Sequence, residues 1–342
     1  MRNTIVFIAA LAIAGCSRES KDTPPPDSFL PPMSLEKVEE DEALAQLSTA
    51  IDKNPADDIA YRRRADEFYR RGHYDRAIAD YTKALQLNPD AKLYYNRAVQ
   101  YSSKGQFEQA IRDYDESIRL DPRDTAARYN RGMAYSKMGE DAKAKQDFDE
   151  VIRVAPDDTQ AMVARGLIHM GQGDHAKARL DFSAALTIDP KNTEAYINRG
   201  YLHFLQNENL EAIRDFTEAI QLDPQSSLAY SNRGNAYAKR GQHLEALADL
   251  DKAIELNPEN CQAYNNRGTV YGEMGNHTKA IEDFSKALAL FPQFAAALRN
   301  RGHSYHQLGN TTQAQVDFSA ALRIDPSEPE RVPVQYRRSD KK

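Results

Sequence analysis

Residues 193–226 read TEAYINRGYLHFLQNENLEAIRDFTEAIQLDPQS, and residues 227–260 read SLAYSNRGNAYAKRGQHLEALADLDKAIELNPEN. Laid one over the other, Tyr196 falls on Tyr230, Gly200 on Gly234, Ala212 on Ala246, Phe216 on Leu250 and Pro224 on Pro258. The frame extends in both directions. Proline recurs at 89, 122, 156, 190, 224, 258, 292 and 326, and every interval is 34 residues except the first, which is 33. A fixed period of this size predicts a stacked array of small units rather than one central core.

Inside each unit two apolar stripes have helical spacing. Tyr230, Gly234 and Tyr237 share one face of a first helix, and Leu247, Leu250 and Ile254 share one face of a second. Between them lies a glycine such as Gly241, suited to the left-handed residue that ends a helix, and Asn207 takes that place in the fifth unit. Proline closes each unit because it cannot continue a helix. A small residue stands in the first helix of every unit, at Ala65, Ala98, Gly132, Gly166, Gly200, Gly234, Gly268 and Gly302. A large one stands in every second helix, at Tyr81, Tyr114, Phe148, Phe182, Phe216, Leu250, Phe284 and Phe318. No unit buries its apolar face alone, so stability has to come from stacking.

This frame resembles the tetratricopeptide repeat, with its Gly-x2-Tyr, Ala-x3-Phe and Pro positions, over residues 58–328, or 271 of 342. The resemblance implies an all-α fold: a right-handed α-solenoid of eight helix-turn-helix repeats. Residues 34–57 are expected to add an N-terminal capping half-repeat, with Ala43, Leu47, Ala50 and Pro55 in the second-helix frame. It also implies a binding scaffold and not an enzyme. No phosphate loop, triad or paired carboxylates stand out, and no cofactor is implied. His303 and His306 share a helix face but lack a third metal ligand, while His169 and His203 replace the usual tyrosine as core residues.

Arginine precedes the small residue in every unit, at 64, 97, 131, 165, 199, 233, 267 and 301. Aspartate precedes the large one, at 80, 113, 147, 181, 215, 249, 283 and 317. Both columns depart from the family's usual leucine and tyrosine, and together they predict one ion pair per unit between the paired helices. Eight identical pairs cannot all be active sites.

In the family the first helices line the concave surface. The resemblance therefore places an amide ladder there, Asn96, Asn130, Asn198, Asn232, Asn266 and Asn300, interrupted by Arg63 and Ala164. A side-chain amide both donates and accepts, so it can pair with a peptide backbone of any sequence or with neighbouring helices. Val163, Leu167, Met170, Ile197, Tyr201 and Phe204 fall at groove positions of units four and five and are expected to form an apolar anchor for a partner.

The chain opens with Arg2, an apolar run from Ile5 to Ala14, and Gly15-Cys16. That run is a secretory signal, too short for a spanning helix of ~20 residues. Ile13-Ala-Gly-Cys16 resembles a bacterial lipobox, which implies residues 1–15 removed and acylation of Cys16. Serine at 17 implies sorting to the outer membrane. Residues 16–33 hold five prolines and form a tether. Loss of Arg2 takes the formal charge from −6 to 44 − 51 = −7, which argues against nucleic acid as a partner. Cys261 reads as a half-exposed small residue. Residues 329–342, with Pro329 and Pro333, read as a basic, unstructured tail, leaving Val316 and Leu322 of the last unit open to self-association. The expected function is thus a lipid-anchored adaptor in the cell envelope that holds a peptide or protein in its groove. An envelope assembly factor and a self-associating array are the alternatives.

Overall fold

The computed structural model describes residues 37–327 and 331–337. Its described residues form seventeen α-helices and a short 3₁₀ turn at Val334–Tyr336, and they contain no strand. None of these helices is long and apolar enough to cross a membrane. The helices are α1 (Lys37–Lys53), α2 (Asp58–Arg70), α3 (Tyr74–Leu87), α4 (Ala91–Ser103), α5 (Phe107–Leu120), α6 (Thr125–Lys137), α7 (Asp141–Val154), α8 (Thr159–Gly171) and α9 (His175–Ile188). They continue as α10 (Thr193–Leu205), α11 (Asn209–Leu222), α12 (Ser227–Lys239), α13 (His243–Leu256), α14 (Cys261–Glu273), α15 (His277–Leu290), α16 (Ala295–Gln307) and α17 (Thr311–Ile324). From α2 onward they alternate as the eight first and second helices that the proline period predicts, and α1 packs on α2 as the expected cap. Residues 1–36, including Cys16 and the tether, lie outside the described residues.

The chain divides into two compact units, with the boundary inside α8 after Ile168. Within each unit every first helix packs on its own second helix, and every second helix packs on the next first helix. Six first helices begin at a side-chain cap named here: Asp57, Asp90, Asp124, Asn192, Ser226 and Asn260 each accept a hydrogen bond from the first turn. The turn between paired helices needs a positive φ. Glycine supplies it in seven hairpins, and Asn207, at φ 61°, supplies it in the fifth.

The small and large columns meet. A methyl group added to Gly200 would lie 2.9 Å from the Phe216 ring, and one added to Gly132 would lie 2.8 Å from Phe148. Glycine in mid-helix costs about 1 kcal/mol. Here that cost is offset by a fully buried ring at the hairpin centre. In the first two units Ala65 and Ala98 oppose buried Tyr81 and Tyr114.

The predicted ion pairs are present in the seven hairpins that lie wholly within one unit. Each is bidentate: Arg199 donates from Nε to Asp215 Oδ2 at 2.8 Å and from Nη2 to Oδ1 at 2.7 Å, and Arg64, Arg97, Arg131, Arg233, Arg267 and Arg301 repeat the geometry. The aspartates are buried. A third bond was not foreseen. Nη1 donates to the second helix of the preceding unit, at Ser48, Thr82, Asp115, Asp149, Ser183, Thr217, Asp251 or Ser285. In those seven hairpins each guanidinium therefore ties three helices. In seven of the units it also lies 5.6–6.0 Å from a tyrosine ring centroid, as Arg233 does over Tyr230.

The C-terminal end corrects two expectations. Residues 331–337 are not an unstructured tail: Val332 and Tyr336 are buried against Ala314 and Phe318. The Tyr336 ring sits 4.9 Å from Phe318 and 5.5 Å from His306. In an inner hairpin the same ring is covered by the next first helix, as Phe216 is by Ala236. The last unit has no such helix, so this strap fills the place. Val316 remains 62% exposed, while Leu322 packs on the strap cluster. Cys261 is also buried, because its position faces the α15–α16 core.

Two outcomes follow from this packing. Arg199→Ala should lower urea stability by about 3–5 kcal/mol, since it leaves Asp215 buried without its cation. The double change Arg199→Leu with Asp215→Tyr should recover most of that loss, and a single variant no worse than the double would refute the buried-pair account. Tyr336→Ala should speed hydrogen exchange in α17 and leave α10 unchanged. Equal protection of α17 would show that the strap is no cap.

Candidate functional site

In both units consecutive first helices also touch each other: α4 with α6, α10 with α12, α12 with α14 and α14 with α16. Within each unit they form an inner layer, and the amide rungs lie on it.

The rungs are not equivalent. Asn130 Nδ2 donates to the Tyr95 hydroxyl at 3.0 Å, and Asn300 Nδ2 donates to Asn265 Oδ1 at 3.1 Å and Thr269 Oγ1 at 3.3 Å. Asn96 Nδ2 makes a long 3.5 Å bond to Asp66. The partner of Asn130 and of Asn300 stands 35 residues earlier, one unit back on the adjoining helix. Where that residue is apolar the rung goes without. Asn232 follows Ile197 by 35 and makes no side-chain hydrogen bond among the described residues, and neither does Asn198. Both are half-exposed. Asn266 was expected on the open face but is only 7% exposed. Its Oδ1 accepts from Gln262 and Asn265, while its Nδ2 is buried without a partner. Ser231, 35 residues before it and also buried without a partner, is too short to bridge to it. Four rungs are therefore engaged within the protein, and Asn198 and Asn232 are available.

The expected apolar anchor is narrower than the sequence suggests. Val163 is 2% exposed and Met170 7%, so neither offers a surface. Their helix, α8, buries Met162, Ala164 and Ile168 as well, so its apolar residues extend well beyond one stripe. Leu167 is half-exposed. Ile197, Tyr201 and Phe204 are half-buried against Ala212, Phe216 and Ala236 and keep an open side. The Tyr201 and Phe204 rings stack at 6.4 Å and 24°. Burial pushes the Tyr201 phenol above its ordinary pKa, and its hydroxyl has no hydrogen bond among the described residues. An unpartnered hydroxyl beside two unpartnered amides and a stacked pair of rings can hold an apolar side chain and the polar backbone on either side of it.

Three histidines have structural partners. His203 Nδ1 lies 2.5 Å from Glu208, its Nε2 lies 3.9 Å from Asp215, and the pair holds the Glu208 carboxyl below its usual range. His303 Nε2 donates to the Arg331 carbonyl at 3.1 Å, and His306 Nδ1 shares a 2.9 Å hydrogen bond with the Tyr336 hydroxyl. Among the described residues no three His, Cys, Asp or Glu side chains are grouped to hold a metal.

Removing an engaged rung should cost stability and removing an available one should not. Asn300→Ala is expected to lose about 1 kcal/mol, as a typical hydrogen bond does, against under about 0.5 kcal/mol for Asn232→Ala. Equal losses in thermal unfolding would contradict this division.

The chain matches tetratricopeptide repeat families over residues 59–90, 98–169, 159–192, 200–241, 234–275, 261–294 and 295–328. No curated protein sequence matches it. Among solved structures it is similar to a tetratricopeptide repeat protein from Parabacteroides merdae, at 20% identity and TM-score 0.59, with 77% of this chain and 99% of that one covered. It is also similar to the APC/C hetero-tetramer Cut9-Hcn1, at 17% identity and TM-score 0.62, covering 86% of this chain and 58% of that one. PilW, a widely conserved type IV pilus biogenesis factor, aligns at 23% identity and TM-score 0.55, covering 60% and 96%. These likenesses concern the fold, and they agree with the repeat frame and its helical hairpins: the chain belongs to the tetratricopeptide repeat family.

Proposed function

We propose that this protein is a lipid-anchored adaptor of the bacterial cell envelope, outer-membrane sorted and facing the periplasm, that holds an extended peptide or a protein segment on its first-helix layer. One observation carries the binding reading. On α10 and α12 the side chains of Ile197, Asn198, Tyr201, Phe204 and Asn232 keep open sides, although the rest of the hairpin interior is closed. A partner's apolar residue would cover the stacked rings, and its main chain would meet the two amides. Anchoring rests on the Ile13-Ala-Gly-Cys16 motif and the proline-rich stretch behind it. The adaptor has no catalytic role in this reading: its polar groups are spent on helix ties or offered singly on one face. The strap over Phe318 counts against end-to-end self-association as the main role.

The Tyr201→Ala, Phe204→Ala variant should keep its circular dichroism and melting profile within a few degrees and lose the partner that crosslinking with mass spectrometry captures in whole cells. Unfolding would place the rings in the core, and unchanged crosslinks would remove them from the site. Cys16→Ala should shift the protein from the membrane fraction to the soluble one. A variant that still sediments with membranes would defeat the anchor.

A further inference from the structure

The capping helix α1 has an open side. It stands in the second-helix frame, with Ala43, Leu47 and Ala50 in the columns of Ala212, Phe216 and Ala219. Those three are fully buried, whereas Ala43, Leu47 and Ala50 are only half-buried. Ile51, in the column of Leu85, is buried as Leu85 is, so only part of the helix is uncovered. A groove of about 440 Å³ runs along the open part, lined by Glu42, Ala45, Gln46, Thr49, Ala50 and Lys53. It has room for side chains, against ~30 Å³ for one water. In a complete hairpin a first helix covers this face. Subtracting the 34-residue period from α2 puts that helix at residues 24–36, with Pro31 and Pro32 in its interior, and proline breaks a helix there. The ion pair is dropped on both sides as well: Leu30 falls in the column of Arg64 and Gln46 in that of Asp80. A neutral amide in place of the aspartate leaves α1 unsuited to an arginine-bearing first helix, whether from this chain or from a second copy.

We infer that this face of α1 is the docking site for the segment just ahead of it in the chain, Phe29-Leu30-Pro31-Pro32-Met33, laid back over Leu47 and Ala50 as an extended strap. The last hairpin shows that such a cover works in this protein. There Pro333 is extended, at φ −56° and ψ 140°, and Val332 and Tyr336 on either side of it are buried over Phe318. The two stretches share their chemistry: residues 28–35 and 332–336 each carry an aromatic ring, aliphatic side chains and proline, and neither carries a charge. The reach suffices. Leu30 precedes Lys37 by seven residues, up to ~23 Å of extended chain, while α1 rises only ~15 Å from Lys37 to Leu47. Covering the face removes the apolar surface of Ala43, Leu47 and Ala50 from water, which drives the docking. The docking does not depend on the lipid anchor. Together with that anchor it leaves residues 17–28 between Cys16 and the array, at most ~40 Å of chain, and so sets how far the array stands from the membrane.

The test uses the full chain carrying Cys16→Ala, so that its outcome is separate from that of the anchor. Ala50→Cys is introduced, and its maleimide labelling rate is read by peptide mass spectrometry. The rate should rise at least roughly tenfold when Phe29, Leu30 and Met33 are all changed to serine, because the cover is then lost. Lys83→Cys, at an exposed site on α3, should label equally fast with either segment. In a second measurement p-benzoylphenylalanine replaces Gln46, and irradiation should join α1 to residues 28–36 of the same chain. Equal Ala50→Cys labelling with the two segments would show that the segment does not cover the face, and overturns the inference. Slow labelling that survives the serine changes assigns the cover to something else and overturns it too. In a mixture of ¹⁴N and ¹⁵N chains, adducts of mixed isotope would give the face to a second copy. That result, or the absence of any adduct to residues 28–36, also overturns it, and none of these outcomes bears on the Tyr201 and Phe204 site.

Discussion

The constraint that organises this protein is the arginine in each first helix and the three bonds it makes. A buried carboxylate is costly, and a lone Arg–Asp pair seldom repays its own desolvation. Here the pair is closed on all sides. In the fifth hairpin both oxygens of Asp215 accept from Arg199, the remaining Nη1 reaches Ser183 on the preceding second helix, and the guanidinium faces the Tyr196 ring at 5.7 Å. One side chain then fixes the distance within a hairpin and the register to the hairpin before it. Hydrophobic contact alone would tolerate a slide of one helix along another. A planar fork gripping a carboxylate on one helix and a hydroxyl on a second does not.

The end of the array shows the same rule by its exception. The oxygen that would receive the next unit's arginine is Ser319, one residue after Phe318. With no next unit, Gln315 on the same helix donates to it at 2.9 Å, and Gln315 also reaches the Tyr336 carbonyl of the strap at 3.3 Å. The last hairpin is thus finished twice: its ring by Val332 and Tyr336, its orphaned acceptor by Gln315. A strap is a smaller cover than a helix, which is why Val316 on the far side of α17 stays exposed while Phe318 does not.

Much of this was legible in the sequence, because a repeated frame states each local rule eight times. The hairpins, the glycine-on-ring contacts, the Asn207 turn and the Arg–Asp pairs are properties of single columns, and a column can be read without coordinates. The third arginine bond was legible too and was overlooked: Ser48, Thr82, Asp115, Asp149, Ser183, Thr217, Asp251 and Ser285 form a column of side-chain acceptors directly after the large residue. Other features were not in any column. Whether an asparagine is available depends on the residue 35 positions earlier, a relation between two columns in adjoining helices. The burial of Val163 and Met170 goes with that of Met162, Ala164 and Ile168 on other sides of α8, which no single column shows. The strap lies beyond the last repeat, where the frame offers no guidance and two prolines suggested only that no helix would form. Cys16 lies outside the described residues, and its role stays with the motif that suggested it.

The division of labour on each first helix explains how such a frame can hold its fold while changing its guest. The tying arginine and the small residue point to the second helices, and the residues before and after them, at the asparagine rung and one turn beyond, point along the inner layer. Altering Asn232 or Tyr201 leaves every arginine tie and glycine-on-ring contact in place, since none of those passes through them. Altering Asn300 does not, because its amide has been recruited to join α14 to α16. Binding specificity can therefore vary rung by rung wherever the residue one unit back is apolar or distant. It is fixed wherever that residue has a polar group that reaches. On this ground the middle of the chain, where Ile197 stands behind Asn232, is free to meet a partner.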